Sequence, residues 1–200
     1  MPKLTTPDQV NLNYTDIGSG RPIVMIHGWP LSGAAFADNA KVLAAAGYRV
    51  ITYDRRGFGQ SGKPRDGYDY DTLAADLDAL LTGLDLHDVV LLGFSMGGGE
   101  VARYLATRGS ERVGAAILSG SICPALCITK DNPDGAMPRE GFQELADACA
   151  ADHAGFVDQF CGWFYSNDQG LTVPEEVRRR AVEIAQQSAP HAAVSTILAW

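Results

Sequence analysis

Solid apolar runs alternate with amphipathic stretches along residues 9–122, and glycine or charge stops each run. Val10, Leu12 and Tyr14 alternate with polar partners as far as Ile17 and then meet Gly18-Ser19-Gly20, which predicts a hairpin or edge strand with a turn. Ile23-Val24-Met25-Ile26 shows no alternation, so it predicts a strand buried on both faces of a parallel sheet. His27-Gly28-Trp29-Pro30 breaks that run. Ala34, Phe36, Val42 and Leu43 follow at helical spacing, with Gly47 placed as a C-terminal stop, and residues 48–53 read as the next strand. Leu73, Leu77, Leu80, Leu81 and Leu84 form one apolar helix face, which Asp69 or Asp71 is placed to cap. A further strand over 89–92, a helix from Glu100 to Thr107 and a short strand over 115–119 complete the series.

Strands that alternate with helices predict an α/β fold with a doubly wound, mostly parallel sheet. Ligands of such sheets bind outside the carboxyl ends of the strands, and His27, Asp54, Ser95 and Ser121 all fall at or just past such ends. The pattern changes after residue 122. Pro124, Pro133 and Pro138 punctuate a loop, no strand pattern returns, and 142–150, 156–164 and 175–187 read as short helices. Pro174, with Glu175 and Glu176 behind it, suits the start of the last of these. The expected division is a core over residues 1–122 and a helical cap over 123–200. Phe156, Phe160, Trp163 and Phe164 make the cap rich in bulky apolar groups that are candidates for lining a pocket, although residues of this kind more often serve as core.

Length and charge narrow the function classes. Two hundred residues suit one domain, or a domain with a modest insertion. A formal charge of -8 argues against a nucleic-acid or anionic-membrane binder, since both need a basic face. No apolar run is long enough to span a bilayer, and Met1-Pro2-Lys3-Leu4 has no signal-peptide core, so the expected compartment is the cytosol. Cys123, Cys127, Cys149 and Cys161 lack metal-ligand spacing; packed thiols are expected, with a disulfide left open.

The chemistry concentrates at Gly93-Phe94-Ser95-Met96-Gly97. A serine on a sharp turn between an apolar strand and a helix has its Oγ pushed clear of the backbone. The free N–H groups and positive dipole end of that helix suit a developing oxyanion. Ser95 is therefore the candidate nucleophile. Gly97-Gly98-Gly99 matches neither a dinucleotide fingerprint nor a P-loop. Arg55-Arg56 reads either as an anion site or as a solvated or ion-paired loop.

Taken together, His27-Gly28-Trp29-Pro30, Asp54-Arg55-Arg56-Gly57-Phe58-Gly59-Gln60-Ser61 and Gly93-Phe94-Ser95-Met96-Gly97-Gly98 resemble the α/β-hydrolase fold, above all its cofactor-free haloperoxidase (perhydrolase) and arylesterase branch. The resemblance runs from about residue 8 to the end of the chain. It implies Ser95 as nucleophile, the backbone N–H groups of Trp29 and Met96 as oxyanion donors, and His27 as a structural histidine beside the oxyanion loop. It also implies Pro30 as a residue shaping that loop for hydrogen peroxide; with Phe160 and Trp163, read from the apolar character of the cap, Pro30 makes up the expected substrate pocket. The implied reaction is acyl transfer from a carboxylic ester or acid to water or peroxide, without metal, haem or other cofactor.

One departure matters. The triad order of this fold is serine, acid, histidine, and in the family the last two follow two further strands after the cap. Residues 193–200 are still in a helix-like apolar pattern, so those strands and the expected acid and histidine are missing from these residues. His87 precedes the elbow strand, at the wrong end of the sheet, and His153 reads as a solvated cap residue. His191 is the least improbable substitute base. Three readings stay open: a fragment of an esterase, an assembly in which a second copy or a complementing chain covers the exposed sheet edge, or a binding protein without chemistry.

Overall fold

The computed structural model describes residues 2–123 and 125–200; Met1 and Pro124, the latter expected to punctuate a loop, lie outside them. The central sheet has six strands: β1 (Lys3–Thr5), β2 (Asn11–Gly18), β3 (Arg21–Ile26), β4 (Tyr48–Tyr53), β5 (Val89–Phe94) and β6 (Val113–Ser119), in the order β1-β2-β4-β3-β5-β6. β4, β3, β5 and β6 run parallel, and β2 joins β4 antiparallel with Tyr14 opposite Tyr53. The segment expected as a hairpin or edge strand is thus a hairpin arm one position inside the edge. The outermost strand is β1, whose three residues are too few to show an alternation in the sequence.

Apolar periodicity explains the core. Val24, Ile26, Ile51, Tyr53 and Leu91 of the parallel strands pack on Leu77, Leu80 and Leu81 of α2 (Tyr70–Gly83) and Val101 and Tyr104 of α3 (Met96–Arg108). The Asp69 carboxylate accepts the backbone N–H of Thr72 at 2.9 Å and so caps α2. The opposite face carries a 3-10 turn (Gly33–Phe36) that runs into α1 (Ala37–Ala45), packed over Ile23, Met25, Val50 and Val90. Gly47, at φ +89, takes the left-handed conformation that stops this helix.

Beyond β6 the chain forms α4 (Arg139–Ala151), α5 (His153–Phe164), α6 (Glu175–Ala185) and α7 (Pro190–Ile197), which make the cap. Strand structure does return here, as the small hairpin of β7 (Ser166–Asn167) and β8 (Gly170–Leu171). Its two-residue arms are below the length that a sequence pattern reveals. No helix among the described residues is long and apolar enough to cross a membrane. All four cysteines are free thiols, and burial pushes Cys149 and Cys161 up to about 11.

β6 is unlike its neighbours. It is apolar, yet Ile117 is 47% and Leu118 50% exposed, and among the described residues no strand pairs with its outer edge.

Candidate active site

Ser95 stands between β5 and α3 with φ 51 and ψ -118, a conformation L-residues rarely adopt. Its N–H donates to the Ser119 carbonyl and its carbonyl accepts from Gly98 and Ile122, so the backbone is fixed on every side. The Oγ makes no hydrogen bond among the described residues. The glycines explain how the turn closes. A Cβ on Gly97 would collide with the Ile26 carbonyl, and one on Gly93 would collide with the backbone of Gly97. A Cβ on Gly28 would lie 3.1 Å from the Ser95 Cβ, which puts the loop after β3 directly against the serine.

That loop carries Trp29, which is 5% exposed. Neither the Trp29 N–H nor the Met96 N–H, at the first position of α3, has an acceptor among the described residues. The Gly28 carbonyl, by contrast, is held by the Leu31 N–H at 3.0 Å and by His27 Nδ1 at 3.0 Å. The Trp29–Pro30 peptide is cis. The Trp29 ring meets Phe156, Phe160 and Trp200 edge-on, at 6.0, 4.8 and 5.5 Å between centroids.

His27 is buried and its ring is fully committed. The Arg55 N–H donates to Nε2 at 3.0 Å, so Nδ1 carries the proton and donates to Gly28. Burial, then the Arg55 charge, holds its pKa well below the ordinary value, and the ring is neutral. The other histidines are also engaged away from Ser95. His87 meets Asp85 at 3.0 Å, His153 meets the Ser188 hydroxyl at 3.0 Å, and His191 donates to the Pro64 carbonyl at 2.8 Å. The His191 ring also rests edge-on against Tyr68. The stand-in role expected for His191 is thereby corrected: its Nε2 proton is spent on the Pro64 carbonyl. His153 is corrected too, since it is half-buried rather than solvated, with its pKa lowered by burial.

Of the readings open for Arg55 and Arg56, the ion-paired one holds and the solvated one does not. They are 0% and 2% exposed and both are ion-paired: Arg55 with Glu100 at 2.8 Å, Arg56 with Asp76 at 2.6 Å and Asp8 at 2.9 Å. Neither guanidinium is left for an outside anion. Asp54, also past a strand end, is a turn organiser. Its carboxylate accepts from the N–H groups of Gly33 and Gln60 and from Asn13 Nδ2, at 2.8–2.9 Å. Ser121 packs against Gly98 and accepts from the Cys123 N–H at 3.2 Å.

The proposed pocket residues separate in space. Phe160 is half-buried between Trp29 and Phe164, whereas Trp163 is 73% exposed and its ring meets that of Phe160. Phe164 stands edge-on to Phe94, the residue before the serine, at 6.3 Å. The contact between Phe94 and the cap has no signal in the sequence beyond the place of Phe94 inside Gly-x-Ser-x-Gly. An open cleft of about 530 Å³ lined by Tyr70, Gly99, Ile122, Cys123 and Trp200 lies on the other flank of the elbow helix.

A parallel sheet with a serine elbow at its carboxyl edge and a helical cap defines the class. The chain belongs to the α/β-hydrolase fold family, whose profile, described as alpha/beta hydrolase fold, matches residues 21–185. It is 47% identical over 176 residues to the non-heme chloroperoxidase CPO-A1 of Kitasatospora aureofaciens, covering 88% of this chain and 64% of that protein. Among solved structures, the bromoperoxidase of Bacillus anthracis superposes with a TM-score of 0.94 at 40% identity, over 99% of this chain and 72% of that one. An esterase of Exiguobacterium antarcticum superposes with a TM-score of 0.92 at 32% identity, over 98% and 72%. The chain spans 62% to 66% of the length of five curated relatives that it matches.

Proposed function

We propose that Ser95 is the nucleophile of an acyl-transfer reaction on carboxylic esters, with the Trp29 and Met96 N–H groups as oxyanion donors. The observation that carries this reading is the backbone of Ser95, held at φ 51 on a strand-to-helix turn with an unbonded hydroxyl. Loss of the Oγ proton to a base lets Oγ bond to the ester carbonyl carbon, and the negative oxygen is received by the two amides. Collapse breaks the bond to the alkoxy group, which leaves as the alcohol after taking a proton. Water then releases the acid and restores Ser95. Hydrogen peroxide in place of water releases a peracid, which can oxidise a halide ion to hypohalous acid while itself becoming the carboxylate. The names of these relatives, chloroperoxidase and esterase, favour both outcomes. No cofactor is required by either.

The proton acceptor is the missing part. The four histidines are engaged elsewhere, so these residues alone hold the serine ready without a base. A serine without a base reacts slowly. Labelling with a fluorophosphonate probe, beside hydrolysis of p-nitrophenyl acetate with and without peroxide, tests the reading. Labelling that Ser95→Ala abolishes supports it; no labelling, or labelling that survives the substitution, overturns it.

A further inference from the structure

The two amides assigned to the oxyanion sit on separate pieces of chain, one on the loop after β3 and one on α3. A single buried side chain grips both pieces. Arg55, just beyond β4, donates through Nε to Glu100 Oε2 and through Nη2 to the His27 carbonyl, each at 2.8 Å. Glu100 lies one turn beyond Met96 on α3, is fully buried, and also accepts from the Tyr53 hydroxyl.

We propose that the Arg55–Glu100 pair positions the oxyanion donors, acting through His27 on the Gly28–Trp29 peptide. The chain of cause is short. The backbone N–H of Arg55 occupies His27 Nε2, which keeps the proton on Nδ1, while the Arg55 side chain holds the same histidine through its carbonyl. Nδ1 then donates to the Gly28 carbonyl, which Leu31 holds as well. In a planar trans peptide the N–H points away from the C=O, so fixing the Gly28 carbonyl aims the Trp29 N–H to the opposite side. Meanwhile the carboxylate of Glu100 ties this assembly to the helix that carries Met96. Stability alone does not account for such a pair, because well-packed apolar residues of similar volume do as well or better. The planar fork of arginine reaches two acceptors at once, which a lysine ammonium cannot reproduce in the same geometry. Both residues act by positioning and neither touches the substrate.

This inference rests on Ser95 as nucleophile, so its test includes a readout independent of activity. Glu100→Gln and Arg55→Lys are compared with the unaltered protein by fluorophosphonate labelling rate, by kcat and KM on p-nitrophenyl acetate, and by nitrogen-15 NMR of the His27 ring. The expected result is folded variants whose labelling rate and kcat fall about 10- to 100-fold, below the full loss of an oxyanion donor. KM should stay within about twofold, as for an interaction made only in the transition state. The His27 Nδ1–H resonance should shift and broaden, because the ring loses the side-chain anchor on its carbonyl while the backbone bond to Nε2 stays. His27→Asn, which keeps a donor near the Nδ1 position, should retain more labelling than His27→Gln, and this pair decides the matter if the charged variants do not fold. Wild-type labelling rates with an unchanged His27 spectrum in both charged variants overturn the proposal. An unaltered protein that never labels sinks the nucleophile reading instead, while the spectrum still reports on the pair.

Discussion

The indole Nε1 of Trp29 donates a 3.1 Å hydrogen bond to the carbonyl oxygen of Ala193, in α7 of the cap. One residue therefore supplies a candidate oxyanion amide from its backbone and anchors the cap with its side chain. Trp29→Phe removes this bond and part of the edge-on packing against Phe156, Phe160 and Trp200. A loss of about 1–2 kcal/mol is expected from the hydrogen bond and lost volume together, read as a lower urea midpoint. Ester hydrolysis should fall in the same variant. An unchanged midpoint would show that the cap is held by other contacts.

Ser95→Gly should do the reverse to stability. Glycine adopts φ 51 without the penalty that a side chain incurs, so the variant should gain about 1 kcal/mol in urea unfolding while losing all probe labelling. Equal or lower stability would mean that the elbow is unstrained.

The Arg56–Asp76 pair is almost wholly buried, so removing Asp76 leaves a buried guanidinium with only the more exposed Asp8 as partner. Asp76→Ala should cost about 3–5 kcal/mol. Asp71→Ala, which breaks an exposed pair with Arg103, should leave the unfolding midpoint unchanged within error. Similar losses in the two variants would contradict the burial difference.

His27 gives stability a signed pH dependence. Its folded pKa lies well below the usual 6.5, so between those values the unfolded chain binds a proton that the folded one refuses. Its contribution is complete above pH 6.5 and declines as pH falls towards the folded pKa, by about 1.4 kcal/mol per pH unit. The difference in slope between the unaltered protein and His27→Asn, measured from pH 7.5 to 5.5, isolates this proton. Parallel slopes would count against a neutral His27.

Phe164 stands edge-on to Phe94 beside the serine, and under the proposed acyl transfer its ring would limit acyl length. Phe164→Ala should raise kcat/KM for p-nitrophenyl butyrate relative to acetate by about tenfold, the scale of one or two methylene contacts. An unchanged ratio would remove that ring from the pocket wall.

What the sequence revealed follows from the range of each interaction. The strands β3, β4 and β5 and the elbow were legible because apolar runs and glycine spacing are local signals. The fate of Arg55 and Arg56 was not, because charge alone does not show burial. Their partners Glu100, Asp76 and Asp8 lie 45, 20 and 48 residues away. The hydrogen bond from Trp29 to the cap was not legible, since Ala193 lies 164 residues further on. The edge strand β1 escaped notice because its register comes from pairing Leu4 with Leu12, not from any pattern of its own.

The bare flank of β6 has a practical side. Its unpaired peptide groups, beside Ile117 and Leu118, offer a ready template on which another polypeptide can lay down a ladder. Crowded preparations of these 200 residues should therefore turn cloudy sooner than dilute ones, and a lysine in place of Ile117 should keep them clear.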